Sequence, residues 1–304
     1  MQHVMYKSQG SNDTKINDDK SSVNSTTSGS SVQGSTGKPV CPTVSPKLVG
    51  FINVSLTAPP VDLQVKDHPL VQQGGRFRPA ECQARHRVAI IVPFRGREAQ
   101  LPIFLYNLHP VFQRQQLDYA IYVVEQAGNG TFNKGLLMNV GTVEALKIYN
   151  YQCFVFHDID LLPENDRNIY ACPDQPRHMS GEVNTLRYKI PAPEFVGGVL
   201  AMSVDHFKAV NGYSNKFLGW GGEDDDMGNR IVSSGLFVTR YPAKIGRYTM
   251  LQHKKSKPSP HRFENLEKGK TRYREDGLNS MNYKTLDIQF RPLYTWVYVD
   301  VYPS

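Results

Sequence analysis

At 304 residues, with 39% hydrophobic and 11% aromatic side chains, the chain can bury a sizeable core, which excludes a wholly disordered protein. Its formal charge of +7 comes from Lys and Arg scattered among acids. There is no run of about five like charges and no recognised nucleic-acid module, so nucleic acid is not expected as a partner. No stretch of about 18 apolar residues occurs, and residues 1–40 hold no apolar signal core, so the sequence as it stands reads as soluble.

Residues 1–38 are rich in Ser, Gly and Thr, with too few large apolar side chains to offset their ordering entropy, and are read as a disordered stem. One domain is predicted over 39–304. Its four cysteines, Cys41, Cys82, Cys153 and Cys172, are an even number at spacings too wide for a zinc knuckle or a redox pair, which leaves two disulfides or none. Glycosylation sequons at Asn12, Asn24, Asn53 and Asn129 favour an oxidising compartment and therefore disulfides.

Val88 to Val92 is a short continuous apolar run before Pro93, the pattern of a strand buried on both faces. From Glu98 to Gln116, Leu101, Leu105, Leu108 and Phe112 fall at helical spacing. Tyr119 to Val124 predicts a second strand, and Asn133 to Tyr149 a second helix through Leu136, Val140, Val143 and Leu146. Phe154 to Phe156 predicts a third strand, running into His157-Asp158-Ile159-Asp160. Alternating strands and helices predict an open, mostly parallel sheet, whose ligands bind outside the carboxyl ends of its strands. Further on, strands are predicted over Phe195 to Met202, near Phe237 to Tyr241 and over Trp296 to Val301, with a helix opening near Glu223. Residues 251–274 are expected to be a mobile lid loop.

Asp158 and Asp160 are spaced so that both can face one side of an extended backbone, and such hard oxygen ligands suit magnesium or manganese carrying phosphate oxygens. The competing reading is a strand-end turn capped by Asp. Met250 and His253 could complete a metal site, although a His beside a Met is ordinarily packing. Gly219-Trp220-Gly221-Gly222 leaves an indole with little local cover, followed by Glu223, Asp224, Asp225 and Asp226 at a helix start. Helix-terminus preference accounts for the later acids. An indole framed by glycines is better accounted for by stacking on a sugar ring, with a carboxylate there taking a hydroxyl proton. Arg95 and Arg97 follow the first strand, where guanidinium groups can hold phosphate, and Phe132-Asn133-Lys134 opens the second helix, either as an anion site or as a simple Asn cap.

In chain order, PFRGREAQL, FNKGLLMNVG, FHDIDLLPENDRNIY, QPRHMS, FVGGVLAMS, GWGGEDDD, MLQH, PHRF and GLNSMNY resemble the successive blocks of the beta-1,4-galactosyltransferase family, glycosyltransferase family 7, over residues 39 to about 290. The resemblance implies an α/β, GT-A type glycosyltransferase fold, a single Rossmann-like domain with a mostly parallel central sheet. It implies Golgi-lumen enzymes of type II topology, whose N-terminal membrane anchor this chain lacks. Asp160, Met250 and His253 stand at the family's manganese-ligand positions, with Asp158 the first acid of that motif. Pro93, Phe94, Arg95, Arg97, Phe132, Lys134, Asp158 and Ile159 stand where the family holds the uridine diphosphate, and Trp220 where a mobile tryptophan covers the donor. Gly222, Glu223, Asp224 and Asp225 match acceptor contacts, Asp224 being the catalytic base, while Arg262, Phe263 and Leu266 match the pocket for the acceptor's N-acetyl group. The resemblance also pairs Cys41 with Cys82 and Cys153 with Cys172.

The function so implied is inverting, manganese-dependent transfer of galactose from UDP-galactose to the 4-hydroxyl of a terminal β-N-acetylglucosamine on a glycoprotein or glycolipid. Two departures bear on it. Phe195 stands on the donor side where the family commonly has Tyr, which opens UDP-N-acetylgalactosamine as an alternative donor, and Ala192 replaces a larger aromatic on the acceptor side. A non-catalytic sugar-binding protein and a metal-dependent hydrolase are the readings of other classes; the intact acids and His253 argue against the first, and the lack of a second ligand cluster against the second.

Overall fold

A computed structural model describes residues 37–253 and 257–302. The stem expected over 1–38 lies, as far as residue 36, outside the described residues, as do positions 254–256 of the expected lid.

After a one-turn helix α1 (Val61–Gln64), the apolar run at 88–92 lies inside strand β1 (Arg87–Phe94). Val88, Ala89, Ile90, Ile91 and Val92 are all fully buried. Alternation along the strand sends them to two cores. Val88, Ile90 and Val92 pack with Phe104, Leu105, Leu108 and Phe112 of α2 (Leu101–Arg114). Ala89 and Ile91 pack with Leu136, Leu137 and Val140 of α3 (Lys134–Ile148). Each large aliphatic side chain buried this way contributes about 1.5–3 kcal/mol, which makes β1 the axis of the fold.

Strands β2 (Asp118–Gln126) and β3 (Cys153–His157) both pair parallel to β1, on opposite sides. The chain therefore moves from β1 to β2 across one face through α2, then returns past β1 to β3 across the other through α3. That reversal makes the carboxyl ends of β1 and β3 the crevice where open α/β sheets take their ligands.

The remaining elements are β4 (Leu161–Pro163), β5 (Arg177–His178), β6 (Glu182–Val183), β7 (Val199–Ser203), α4 (Val204–Ala209), α5 (Glu223–Ser233), β8 (Arg247–Met250), α6 (Arg262–Arg272), β9 (Tyr283–Phe290) and β10 (Thr295–Val301). The main sheet runs β5-β7-β3-β1-β2-β10-β9, and β4-β8-β6 form a small second sheet. The four central strands are parallel, while β9, β7 and β5 pair antiparallel at the edges. The α/β fold with a mostly parallel centre is the one expected.

Four local expectations are corrected. The strand predicted from Phe195 begins only at Val199, because Gly198 takes a left-handed conformation (φ +95°) that breaks extended backbone. Phe237 to Tyr241 makes a single bridge, Thr239 to Arg177, since β5 offers only two residues to pair with and Pro242 follows without a donor. The stretch read as a lid loop contains α6; its low-complexity composition stops before Arg262, and Glu264 and Lys268 then pair at one helical turn, 2.6 Å apart. Ile159 and Asp160 form a turn rather than extended chain, which sends Asp158 and Asp160 to different partners.

Both disulfides form in the pairing implied by the resemblance, Cys41–Cys82 and Cys153–Cys172. The second fastens the start of β3 to the segment before β5, closing a separation of 19 residues. Cys172→Ser is expected to cost about 3 kcal/mol, the chain-entropy value for a loop of this order. Thermal unfolding of the variant beside the parent checks it.

Candidate active site

Two helix N-termini converge on the crevice. Asn133 caps α3, its Oδ1 accepting from the Leu136 amide at 3.0 Å, while its own N–H donates to Gln126 Oε1 at 2.8 Å. This fixes Lys134 as the first helical residue, with its ammonium at the crevice. Helix α5 opens on Gly222, whose φ of +99° is left-handed, and a Cβ there would sit 2.5 Å from the Phe217 ring. The first turn of α5 is Glu223-Asp224-Asp225-Asp226, acids where the helix dipole favours them.

Lys134 Nζ lies 3.0 Å from Asp158 Oδ1, 3.0 Å from Asp224 Oδ2 and 3.3 Å from Glu223 Oε1. One ammonium thus gathers a carboxylate from the end of β3 and two from the start of α5. Burial pushes the Asp158 carboxyl up to about 7 even though Lys134 pulls it down. Burial likewise raises Glu223, whose Oε2 is buried and has no hydrogen-bond partner among the described residues. Lys134 itself would be depressed by burial, but the three carboxylates outweigh that and hold it well above its ordinary value. The cluster has more negative charge than one lysine offsets, as a site awaiting a cation or a hydroxyl donor would.

A second group lies beside it. His253 Nε2 is 2.9 Å from Asp160 Oδ2, and Arg97 Nη2 is 3.3 Å from His253 Nδ1. Arginine can only donate, so Nδ1 accepts and Nε2 carries the proton toward Asp160. Met250 pairs with Leu161 in the β4–β8 ladder, its Sδ accepting from Thr185 Oγ1 at 3.4 Å, and the Leu251 amide donates to Asp160 O at 2.7 Å. Burial raises the Asp160 carboxyl, with His253 the largest opposing influence. Among the described residues no group of three or more His, Cys, Asp or Glu could hold a metal. A cation here would draw on Asp160, His253 and the Met250 thioether, with further oxygens supplied by a ligand. A half-buried carboxylate already facing an imidazole fits that role.

The rest of the crevice is built from loops. Arg95 donates to Gly130 O at 2.6 Å and lies over the Phe132 ring at 5.2 Å. The Trp220 loop is strung between two segments, the Gly219 amide donating to Phe132 O at 2.8 Å and the Ser259 amide to Trp220 O at 2.9 Å. The indole is 57% exposed, consistent with the little cover its flanking glycines provide. Arg262, at the start of α6, lies against Gly221 and Gly222 and over Phe263 at 4.3 Å, with Phe263 exposed and Leu266 half-buried.

Lys134, Asp158, Glu223 and Asp224 therefore meet in one cluster, and Asp160, His253 and Arg97 in its neighbour. Gly222, Trp220, Arg262, Phe263 and Leu266 line the α5–α6 side, and Asp225 is exposed next to Asp224. Pro93, Phe94 and Ile159 are buried, the last two in the core on the α2 side, so their side chains do not reach the cluster. Lys134 is ion-paired to three carboxylates. Sequence reading missed the support beneath Phe195: Arg240 and His178, far apart in the chain, meet under its loop.

Residues 41–173 match the N-terminal region of glycosyl transferase group 7, and residues 177–254 match the N-terminal domain of galactosyltransferase. Beta-1,4-galactosyltransferase 1 of Mus musculus is 48% identical over 267 residues, 86% of this chain and 67% of that protein. Beta-1,4-galactosyltransferase 3 of Bos taurus is 46% identical over 87% of this chain and 68% of that protein. The crystal structure of the catalytic domain of Drosophila beta1,4galactosyltransferase 7 in complex with xylobiose has a TM-score of 0.63 to this fold, at 30% identity, over 72% of this chain and 95% of that one. A mutant of that enzyme, in complex with manganese, UDP-Gal and xylobiose, has a TM-score of 0.62 at 29% identity, over the same shares of the two chains.

Proposed function

The chain belongs to the beta-1,4-galactosyltransferase family of glycosyltransferases, and from that premise we propose that it transfers galactose from UDP-galactose to the 4-hydroxyl of a terminal β-N-acetylglucosamine, with inversion and with manganese as cofactor. The observation that carries the reading is the single ammonium of Lys134 holding Asp158 and Asp224 together at the mouth of the sheet crevice.

Asp160, Met250 and His253 would hold the manganese, which when bound supplies positive charge to the departing diphosphate. Asp224 takes the proton of the acceptor hydroxyl as that oxygen bonds to the anomeric carbon, while the bond from that carbon to the diphosphate breaks on the opposite face. An α-linked donor thereby gives a β-linked product and UDP leaves. Lys134 keeps Asp224 pointed into the crevice. Trp220 and α6, joined through Ser259, would close over the donor and limit its hydrolysis by water.

Incubation with manganese, an N-acetylglucosamine acceptor and either UDP-galactose or UDP-N-acetylgalactosamine should add one hexose to the acceptor by mass spectrometry. Chelation should stop the reaction and added manganese restore it. A product heavier by an N-acetylhexosamine replaces the donor assignment with the alternative that Phe195 raises. Nucleotide binding without product from either donor supports the non-catalytic reading instead.

A Golgi-lumen location is supported by the two disulfides, which persist in oxidising compartments. No helix among the described residues is long and apolar enough to cross a membrane. Asn53 and Asn129, both exposed at sequons, are the positions expected to carry N-glycans. Protein expressed through the secretory pathway should lose mass on glycosidase treatment, and an unchanged mass would count against a lumenal route.

A further inference from the structure

The loop from Pro193 to Gly198 passes directly beside the acidic cluster. A Cβ placed on Gly197 would lie 2.4 Å from Phe195 Cζ and 3.0 Å from Asp224 Oδ2, so the Phe195 ring and the Asp224 carboxylate press on the same glycine from two sides. The loop has no regular structure to fix it, and four of its six carbonyls are held individually. Arg240 Nη2 donates to Pro193 O at 2.7 Å and to Phe195 O at 2.6 Å. Gly197 O lies 2.9 Å from His178 Nε2 and accepts from Ser180 Oγ at 3.0 Å. Gly198 O accepts from the Asp158 amide at 2.9 Å, which ties the loop to the acid at the end of β3.

Arg240 and His178 act as one unit. Arg240 Nε donates to His178 Nδ1 at 3.0 Å, and because arginine has no acceptor, Nδ1 must be unprotonated and Nε2 must carry the hydrogen. That hydrogen is the one aimed at Gly197 O. The planar guanidinium therefore binds two loop carbonyls and, through the imidazole, orients the donor to a third. The His178 ring also meets the Phe195 ring edge-on, with centroids 5.6 Å apart. Backbone and side chain of Phe195 are both set by this pair.

We infer that Arg240 and His178 are positioning residues for donor choice, holding the Phe195 ring beside Asp224 so that the ring limits the substituent a UDP-sugar can carry next to its reacting carbon. The inference rests on the galactosyl-transfer reading and deepens it. Phe195 alone does not discriminate, because a ring free to swing aside would admit either donor.

A double-mutant cycle between Arg240→Met and Phe195→Tyr tests this, read as the ratio of kcat/KM for UDP-galactose to that for UDP-N-acetylgalactosamine. The ratio is the useful readout because a loss of folded enzyme lowers both values equally and leaves it unchanged. In the parent, Phe195→Tyr should move the ratio by about tenfold, whereas in the Arg240→Met background it should move it less than about threefold, the signature of coupled sites. Arg240→Lys, which keeps the charge without the fork, should behave like Arg240→Met, and provides the cycle if the methionine variant folds poorly. Ratios that simply multiply overturn the inference while leaving galactosyl transfer standing. A Phe195→Tyr change that leaves the ratio unmoved in the parent removes Phe195 from donor choice and the inference with it; absence of transfer from either donor in the parent sinks the underlying reading.

Discussion

Asp224→Asn is expected to lower kcat by roughly 10³-fold while UDP and manganese still bind, since a positioned general base contributes about 10²–10⁴-fold. The substitution keeps the side chain's shape and removes its capacity to take a proton. Lys134 retains Asp158 and Glu223 as ionic partners, so the cluster should not collapse. Asp225→Asn is the comparison: Asp225 is exposed, with no ion pair to Lys134 among the described residues, so as an acceptor contact its loss should raise the acceptor KM while changing kcat far less. Single-turnover rates and nucleotide titrations on both variants separate chemistry from binding. If Asp224→Asn keeps more than about a tenth of parental turnover, another group takes the proton and the assignment fails.

Much of the fold was legible because its signals are local. The short apolar run of β1, stopped by Pro93, has the pattern of a strand covered on both faces, and the 3.6-residue spacing after it that of a helix. The carboxyl-end rule places Asp158 at the crevice from sequence order alone. What failed was governed by partners distant in sequence. Tyr283–Phe290 carries only a patchy alternation, and becomes a strand because β10 offers it a ladder. Gly198 delays the start of β7 through one torsion angle that apolarity does not report. The site divided the same way. Asp158, Asp160, Glu223 and Asp224 announced themselves by type and spacing, whereas the ion pairs that Lys134 makes with Asp158, Glu223 and Asp224 depend on the approach of α5 to α3, which no local signal reports.

That counter-ion role makes Lys134→Met a destabilising change. Methionine has nearly the length of lysine, so packing is largely kept while the charge is lost. Removing one partner from a fully buried ion pair typically costs about 3–5 kcal/mol because the groups left behind stay desolvated, and this partly exposed cluster should lose less than that. Here three carboxylates lose their nearest cation. Burial already raises Glu223 with the ammonium present, and without it the carboxyl should rise further. A carboxyl whose pKa is raised on folding keeps a proton that the unfolded chain releases, so the folded state binds more protons and its stability falls as pH rises. That stability is fully present below the unfolded value, about 4, and is lost as pH climbs through the raised folded value. The gap in melting temperature between parent and Lys134→Met should therefore be small near pH 4.5 and widen toward pH 8. A gap that stays constant across this range would mean the lysine contributes by packing alone, and would remove the electrostatic account of how β3 and α5 are held at one site.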